Sequence, residues 1–311
     1  MQRYCDTISL NVCFLGIKSQ KAWIWRNQTT NINAFEKNKV QIISASTLKL
    51  VAVITMLIDH VAAGILLFAI RAKIYPFGLD FDGAASLYYA LRNIGRISFP
   101  LYCFLLVEGF DHTRSVLKYM LNLAVFGAIS EIPFDLALKV KKEPFSTDLM
   151  FMFEQNKEWL LSNCNVFVTL LVGLIVITCM NYVEKKLFVE DETLPTGFIV
   201  NNPLHMVLYL APVGAGAYFC YMLKSDYDFW GIVLIAILFL FRKNRLFACV
   251  AGYLFFMNMD NEVYALPAFL LMLLYNGERG YLKKNTKYIF YAIYPVHLIC
   301  LLILRITVFA P

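Results

Sequence analysis

Charge is scarce in this chain. Only 16% of its 311 residues are Asp, Glu, Lys or Arg, against 59% hydrophobic, where a soluble globular domain carries about 25% charged residues. A mean hydropathy of +0.61 fits the same deficit, and together they exclude a water-soluble domain. No long Pro/Ser-rich linker interrupts the apolar segments, so one bundle is expected rather than two domains. The net charge of +6 comes without a basic helix or an aromatic-studded groove, so nucleic acid is not an expected partner. No CxxC occurs among the eight cysteines, and Cys103, Cys179, Cys220, Cys249 and Cys300 fall within apolar stretches, as small core residues would. The first 45 residues contain only one short apolar patch, "ISLNVCFLGI", which is too interrupted for a signal peptide's apolar region. There is no inverted internal repeat of the transporter kind.

What the chain does contain is a series of apolar runs, near 47–70, 91–110, 119–140, 166–183, 203–223, 226–241, 246–259, 263–275 and 288–309. About 20 apolar residues cross a bilayer as a helix. The expected fold is therefore all-α, a polytopic membrane bundle of about nine transmembrane helices over residues 46–311, preceded by a poorly ordered polar extension, 1–45. The runs at 246–259 and 263–275 are short for a full crossing and fit burial in the bundle or a re-entrant pair. With the N-terminus cytoplasmic, the basic residues concentrate on the inner side, for example at Arg114, Lys118, Lys185 and Lys186, as the positive-inside tendency requires.

Ionisable side chains inside these runs are the exceptions that call for a reason, since each is costly in hydrocarbon. In "LKLVAVITMLIDHVAAGILL", Lys49 lies at the inner mouth and His60 about 16 Å deeper. Eleven residues at about 100° each return to nearly the same direction, so Lys49 and His60 share a helix face. Asp59 diverges from His60 by about 100° and is expected to meet a neighbouring helix. The second run places Arg96 about 21 Å above its inner end, with Arg92 one turn away on the same face, and finishes in Glu108, Asp111 and His112. The third carries Glu131 and, one turn on, Asp135, with Pro133 between them. The last carries Tyr294, Pro295 and His297. By counted depth His60, Glu131, His297 and Arg96 lie near mid-membrane. Asn165, Thr169, Asp226 and Tyr227 lie on the outer side.

Structural roles compete with functional ones at each position. Asp59 and Arg96 can form one buried ion pair that fixes helix register. His112 and His205 lie near the inner interface, where polar-rim histidines are common, and Asn165, Thr169 and Tyr294 can serve as interhelical hydrogen-bond partners. As chemistry, a neutral buried histidine held by a carboxylate can deprotonate an amine or hydroxyl. A lysine at the cytoplasmic mouth can hold a phosphate-bearing donor whose arm reaches inward. That layout suits acyl transfer. HExxH, GxSxG and Asp-rich clusters are missing, and the histidines are scattered, so no metal is expected. Two other classes use the same residues: a proton-coupled transporter or flippase, and a structural subunit of a secretion or pilus assembly.

The blocks "LKLVAVITMLIDH", "LRNIGRISFPLYCFLLVEGFDHTR", "SEIPFDLAL", "NVFVTLLVGL", "SDYDFWGIVLI", "YNGERG" and "KYIFYAIYPVHLICL" occur in that order. On these, the chain from about Leu48 to Leu304 resembles the TraX family, whose founding members are conjugal-transfer membrane proteins that N-acetylate pilin and which is related to the transmembrane acyltransferases. The relatives' spacing of a basic residue, ten positions and a histidine in the first helix is matched by Lys49 and His60. The resemblance implies a bacterial cytoplasmic membrane protein, acetyl-CoA as cytoplasmic co-substrate and His60 as the base. The acceptor is left open among a pilin-like N-terminus, another protein, a cell-surface glycan and a lipid. In this reading Asp59, Glu131 and Arg96 join His60 at the catalytic centre, and Lys49, Glu108, His112 and Arg114 bind the donor. Asp135, Asn165, Asp226, Tyr294 and His297 are supporting or substrate-side residues. The loop "KVKKEPFSTDLMFMFEQNKEW" looks longer than the family's usual turn.

Overall fold

A computed structural model of the chain describes residues 41–160, 162–282 and 286–309. Residues 1–40 of the expected polar extension lie outside that set.

Six described helices are long and apolar enough to cross a membrane: α1 (Ala45–Arg71), the pair α2 (Phe81–Gly95) and α3 (Ser98–His112), α4 (Val116–Lys139), α6 (Val166–Leu187), α7 (Pro203–Met222) and α11 (Lys287–Phe309). Between α4 and α6 lies a short helix, α5 (Leu149–Leu160). Three further apolar helices, α8 (Asp228–Leu240), α9 (Arg245–Phe256) and α10 (Glu262–Leu273), are shorter. The 13 residues of α8 rise about 20 Å, less than the roughly 30 Å hydrocarbon core. Among the described residues there are therefore nine apolar helical segments, six of them long enough to span by themselves. Among the described residues the only sheet is an antiparallel pair, β1 (Val189–Glu190) and β2 (Phe198–Ile199), in the loop after α6.

The second span starts ten residues before the expected 91. Asp80 caps it, accepting from the Gly83 N–H at 2.8 Å, and a side-chain cap of this kind satisfies a donor that would otherwise have no partner. The span is also broken at Arg96–Ile97, where tight turn bonds run from Arg96 to Asn93 and from Ile97 to Ile94. Pro100 is the cause. It has no N–H for the Arg96 carbonyl, and its ring crowds that carbonyl.

Two further irregularities face each other. α1 contains a π-turn at Ala62–Leu66, immediately after His60, and α4 ends in one at Asp135–Lys139, just past Pro133. Such bulges concentrate at functional sites. The second is stitched by Arg305, which is fully buried. Its guanidinium donates to the Leu136 and Ala137 carbonyls, each at 2.6 Å, and lies 4.1 Å over the Phe68 ring.

Residues 41–46 are tied down rather than loose. Ile43 donates to the Leu274 carbonyl and accepts from Asn276, while Ala45 and Ser46 donate to Glu278 and Arg279. Gly280, at φ +80°, lies where a Cβ would run into Ser44 and Ser46; its position in the left-handed region favours glycine. The long loop is ordered by buried Asn156, whose side chain accepts from the Lys141 and Lys142 N–H groups and donates to the Lys142 and Met152 carbonyls.

The core is apolar and continuous from Leu48 to Leu302, and apolar residues also face outward. On α4, Leu121, Val125, Ile129 and Ile132 are all more than half exposed, at helical spacing along one side, as a lipid-facing stripe requires. Cys103, Cys220 and Cys249 are buried as expected, but Cys179 and Cys300 are exposed. They lie on the outward faces of α6 and α11, where small apolar side chains suit lipid as well as core.

Candidate functional site

Two cavities enter the bundle from opposite ends and meet in its middle. The first, about 490 Å³, opens where α1 and α4 begin and α3 ends; Lys49, His112, Arg114 and Lys118 lie among its lining. Deeper in, its wall becomes apolar and aromatic, with Leu105, Leu123, Phe167 and Tyr291. The second, about 280 Å³, lies beyond it and is lined by Asp59, His60, Arg92, Arg96, Lys139, Asp226 and Tyr227 among others. Met56, Tyr102, Val166 and Tyr294 border both cavities, so these four form the partition between them.

His60 lies on the inner wall of the second cavity and is buried. Its ring stacks on that of His297 with centroids 4.9 Å apart, and its Nδ1 is 2.6 Å from His297 Nε2. The hydrogen positions follow from one fixed point. His297 Nδ1 lies 2.8 Å from the Ile293 carbonyl, which can only accept, so His297 Nδ1 carries the hydrogen. In the neutral ring, His297 Nε2 is then an acceptor. His60 Nδ1 must donate to it, which leaves His60 Nε2 with an unshared lone pair. Among the described residues nothing hydrogen-bonds that atom. A backbone carbonyl on α11 thus fixes the tautomer of a histidine on α1.

Two ion pairs flank the histidines. Asp59 pairs with Arg92, and its carboxylate packs so closely on Gly95 that any Cβ there would overlap it. Arg96 pairs with Glu262 at 2.9 Å, Glu262 being fully buried. The expected Asp59–Arg96 pair is therefore corrected: the helix break at Arg96 turns that side chain away, and Arg92, one turn earlier, meets Asp59. Glu262 arrives from the "NMDNE" turn because Asn261 takes a left-handed conformation and the following 3₁₀ turn carries the chain back inward. Asparagine tolerates that conformation better than most residues.

Glu131 does not line either cavity. Its carboxylate accepts from the backbone N–H and side-chain amide of Asn165, which also donates to the Gly127 carbonyl and caps α6 through the Phe167 N–H. Glu131 and Asn165 thus clamp α4 to α6 instead of meeting His60 at the depth counted from sequence. Asp135 is buried at the start of the second π-turn, and one of its oxygens has no partner among the described residues. Glu108 does not line the first cavity: its backbone carbonyl lies 2.8 Å from His112 Nδ1, while its carboxylate faces Arg245 and Tyr275. Asp226 reaches the second cavity and lies 3.8 Å from Lys139. Thr169 is spent on the Asp226 carbonyl and Ser225. Tyr227, held by a stacked Phe99 ring 3.6 Å away, closes that side.

Residues 44–305 match the family model described as "TraX protein". The chain belongs to the TraX family. One curated relative, "Probable fimbrial assembly protein FimC, serogroup H1" of Dichelobacter nodosus, is 28% identical over 273 residues, spanning 82% of this chain and 93% of the relative. No solved structure matches the chain. In this TraX-family chain, sequence reasoning missed Glu262, Arg92 as the partner of Asp59, and Lys139. Glu262 had one available signal, a carboxylate in a turn between two apolar runs too short to be separate full spans.

Proposed function

We propose that this protein is an integral membrane acyltransferase that moves an acetyl group from cytoplasmic acetyl-CoA to an amine or hydroxyl acceptor. A pilin-like N-terminus or a cell-surface molecule is the acceptor class in this reading. The supporting observation is the histidine relay: a backbone carbonyl and His297 leave His60 Nε2 as a fixed base at the wall of the second cavity. The first cavity suits the donor. Its basic rim of Lys49, His112, Arg114 and Lys118 offers charge to phosphates, and its apolar depth offers a dry channel for a thioester arm. The second cavity takes the acceptor.

In the reaction His60 Nε2 removes the acceptor's proton as its nitrogen or oxygen attacks the thioester carbon. The carbon–sulfur bond breaks, and the proton on His60 passes to the departing thiolate. The products are the acetylated acceptor and free coenzyme thiol. Membership of the TraX family, and a relative named for fimbrial assembly, support a pilin-related acceptor in this reading. An N-inside orientation puts the basic cavity on the cytoplasmic side, where acetyl-CoA is found, in line with the positive-inside tendency.

The test is thioester consumption by the purified protein in nanodiscs, followed as free thiol, with His60→Ala alongside and a membrane extract as acceptor source. Thiol release that is lost in His60→Ala is the expected result. Release at the wild-type rate in that variant would refute the base assignment. No release at all, together with a requirement for a proton gradient in sealed vesicles, would replace this function with transport.

A further inference from the structure

The partition between the two cavities contains a hydroxyl with nothing to bind. Of its four residues, Met56 and Val166 have no hydrogen to donate, and the Tyr102 hydroxyl is directed to the Met56 sulfur at 3.7 Å. The Tyr294 hydroxyl, in contrast, is buried and has no hydrogen-bond partner among the described residues. Tyr294 is itself only 4% exposed. It precedes His297 by three residues on α11, so the two share a face, and its ring stands edge-on to His60 and His297 with centroids 5.8 Å and 5.5 Å away. Phe167 packs on it edge-on at 5.1 Å. The ring is held from three sides while its polar end is left unsatisfied, in a family of sites where buried polar atoms normally find partners.

Any acyl group passing from the first cavity to a nucleophile beside His60 must enter this partition. There its carbonyl oxygen meets an unpaired O–H in a dry setting, and negative charge develops on that oxygen as the tetrahedral intermediate forms. We propose that the Tyr294 hydroxyl is the oxyanion donor of the transfer reaction, hydrogen-bonding the thioester oxygen while His60 takes the acceptor's proton; the assignment rests on the acyl-transfer reading above. Among the described residues that border either cavity, the other unpaired buried donor is Arg96 Nε. It borders only the second cavity and is anchored to Glu262, so it does not reach the point where the two substrates meet.

The experiment compares Tyr294→Phe with Tyr209→Phe in nanodiscs, measuring kcat and KM for acetyl-CoA by thiol release. Tyr209 is the control because it is likewise a buried tyrosine but borders neither cavity, its hydroxyl lying against Glu184 and Arg242. A donor of this kind contributes about 10²- to 10³-fold to kcat, so Tyr294→Phe is expected to lose about 100-fold in kcat with KM within twofold. Its melting temperature should stay at the wild-type value, since phenylalanine keeps the ring and deletes only an unsatisfied group. Tyr209→Phe should leave kcat and KM unchanged. Wild-type kcat in Tyr294→Phe, or an equal loss in both variants, would overturn the assignment while leaving acyl transfer intact. A wild-type protein that releases no thiol with any acceptor would overturn the function and this assignment together.

Discussion

Replacing His297 by phenylalanine tests the relay directly. The substitution keeps an aromatic ring of similar size beside His60 but removes the acceptor 2.6 Å from its Nδ1. His60 then loses a buried hydrogen bond, and its proton is no longer confined to Nδ1. Leaving such a donor unmet costs about 1–3 kcal/mol. At about 1.4 kcal/mol for each tenfold, kcat should fall roughly 5- to 150-fold, with KM for acetyl-CoA little changed because His297 borders neither cavity. His297→Gln presents a carbonyl oxygen that can accept the same hydrogen, so it should retain more activity. The assay is initial-rate thiol release at saturating acetyl-CoA, with expression level and monodispersity checked for each variant. Full activity in His297→Phe would refute the relay. Equal losses in the phenylalanine and glutamine variants would show that ring packing, and not tautomer control, is what His297 supplies.

Glu262→Leu should destabilise the protein by about 3–5 kcal/mol, because it leaves the Arg96 guanidinium buried without its partner; the double variant with Arg96→Met should recover most of that in thermal or denaturant unfolding. Arg114→Ala with Lys118→Ala should raise KM for acetyl-CoA roughly 2- to 30-fold at low salt with kcat unchanged, at about 0.2–1 kcal/mol for each exposed charge contact, and added salt should shrink the difference from wild type. Gly95→Ala places a methyl where the Asp59 carboxylate lies. It should displace Asp59 from Arg92 and lower both stability and acceptor turnover, measured by unfolding and by the rate with saturating donor.

The parts of the site that depend on neighbouring positions in one helix were legible in the sequence. Asp59 and His60 diverge by one helical step, and they do meet different helices, Asp59 finding Arg92 on α2 and His60 finding His297 on α11. Lys49, His112 and Arg114 gather at one cavity because all three lie near helix ends at the same end of the bundle. Partnerships that depend on breaks in the helices were not legible. Pro100 turns Arg96 toward Glu262, and a depth count at uniform rise cannot register that turn. The two π-turns change the direction of side chains after His60 and Phe134 without leaving a composition signal. Glu131 was assigned to the centre on depth alone, whereas its position around α4 directs it to Asn165. Periodicity located the apolar segments well, but a start such as Asp80, set among small and polar residues, reads as loop until its cap is seen.

The histidine pair joins positions 237 residues apart, one on the first helix and one on the last. A ribosome-bound chain whose last helix has not yet inserted has His60 without the ring that fixes its proton, and the partition without Tyr294. On the proposed acyl-transfer function the site is therefore complete only when the final helix docks, and truncated or half-inserted chains are expected to leave the thioester unspent.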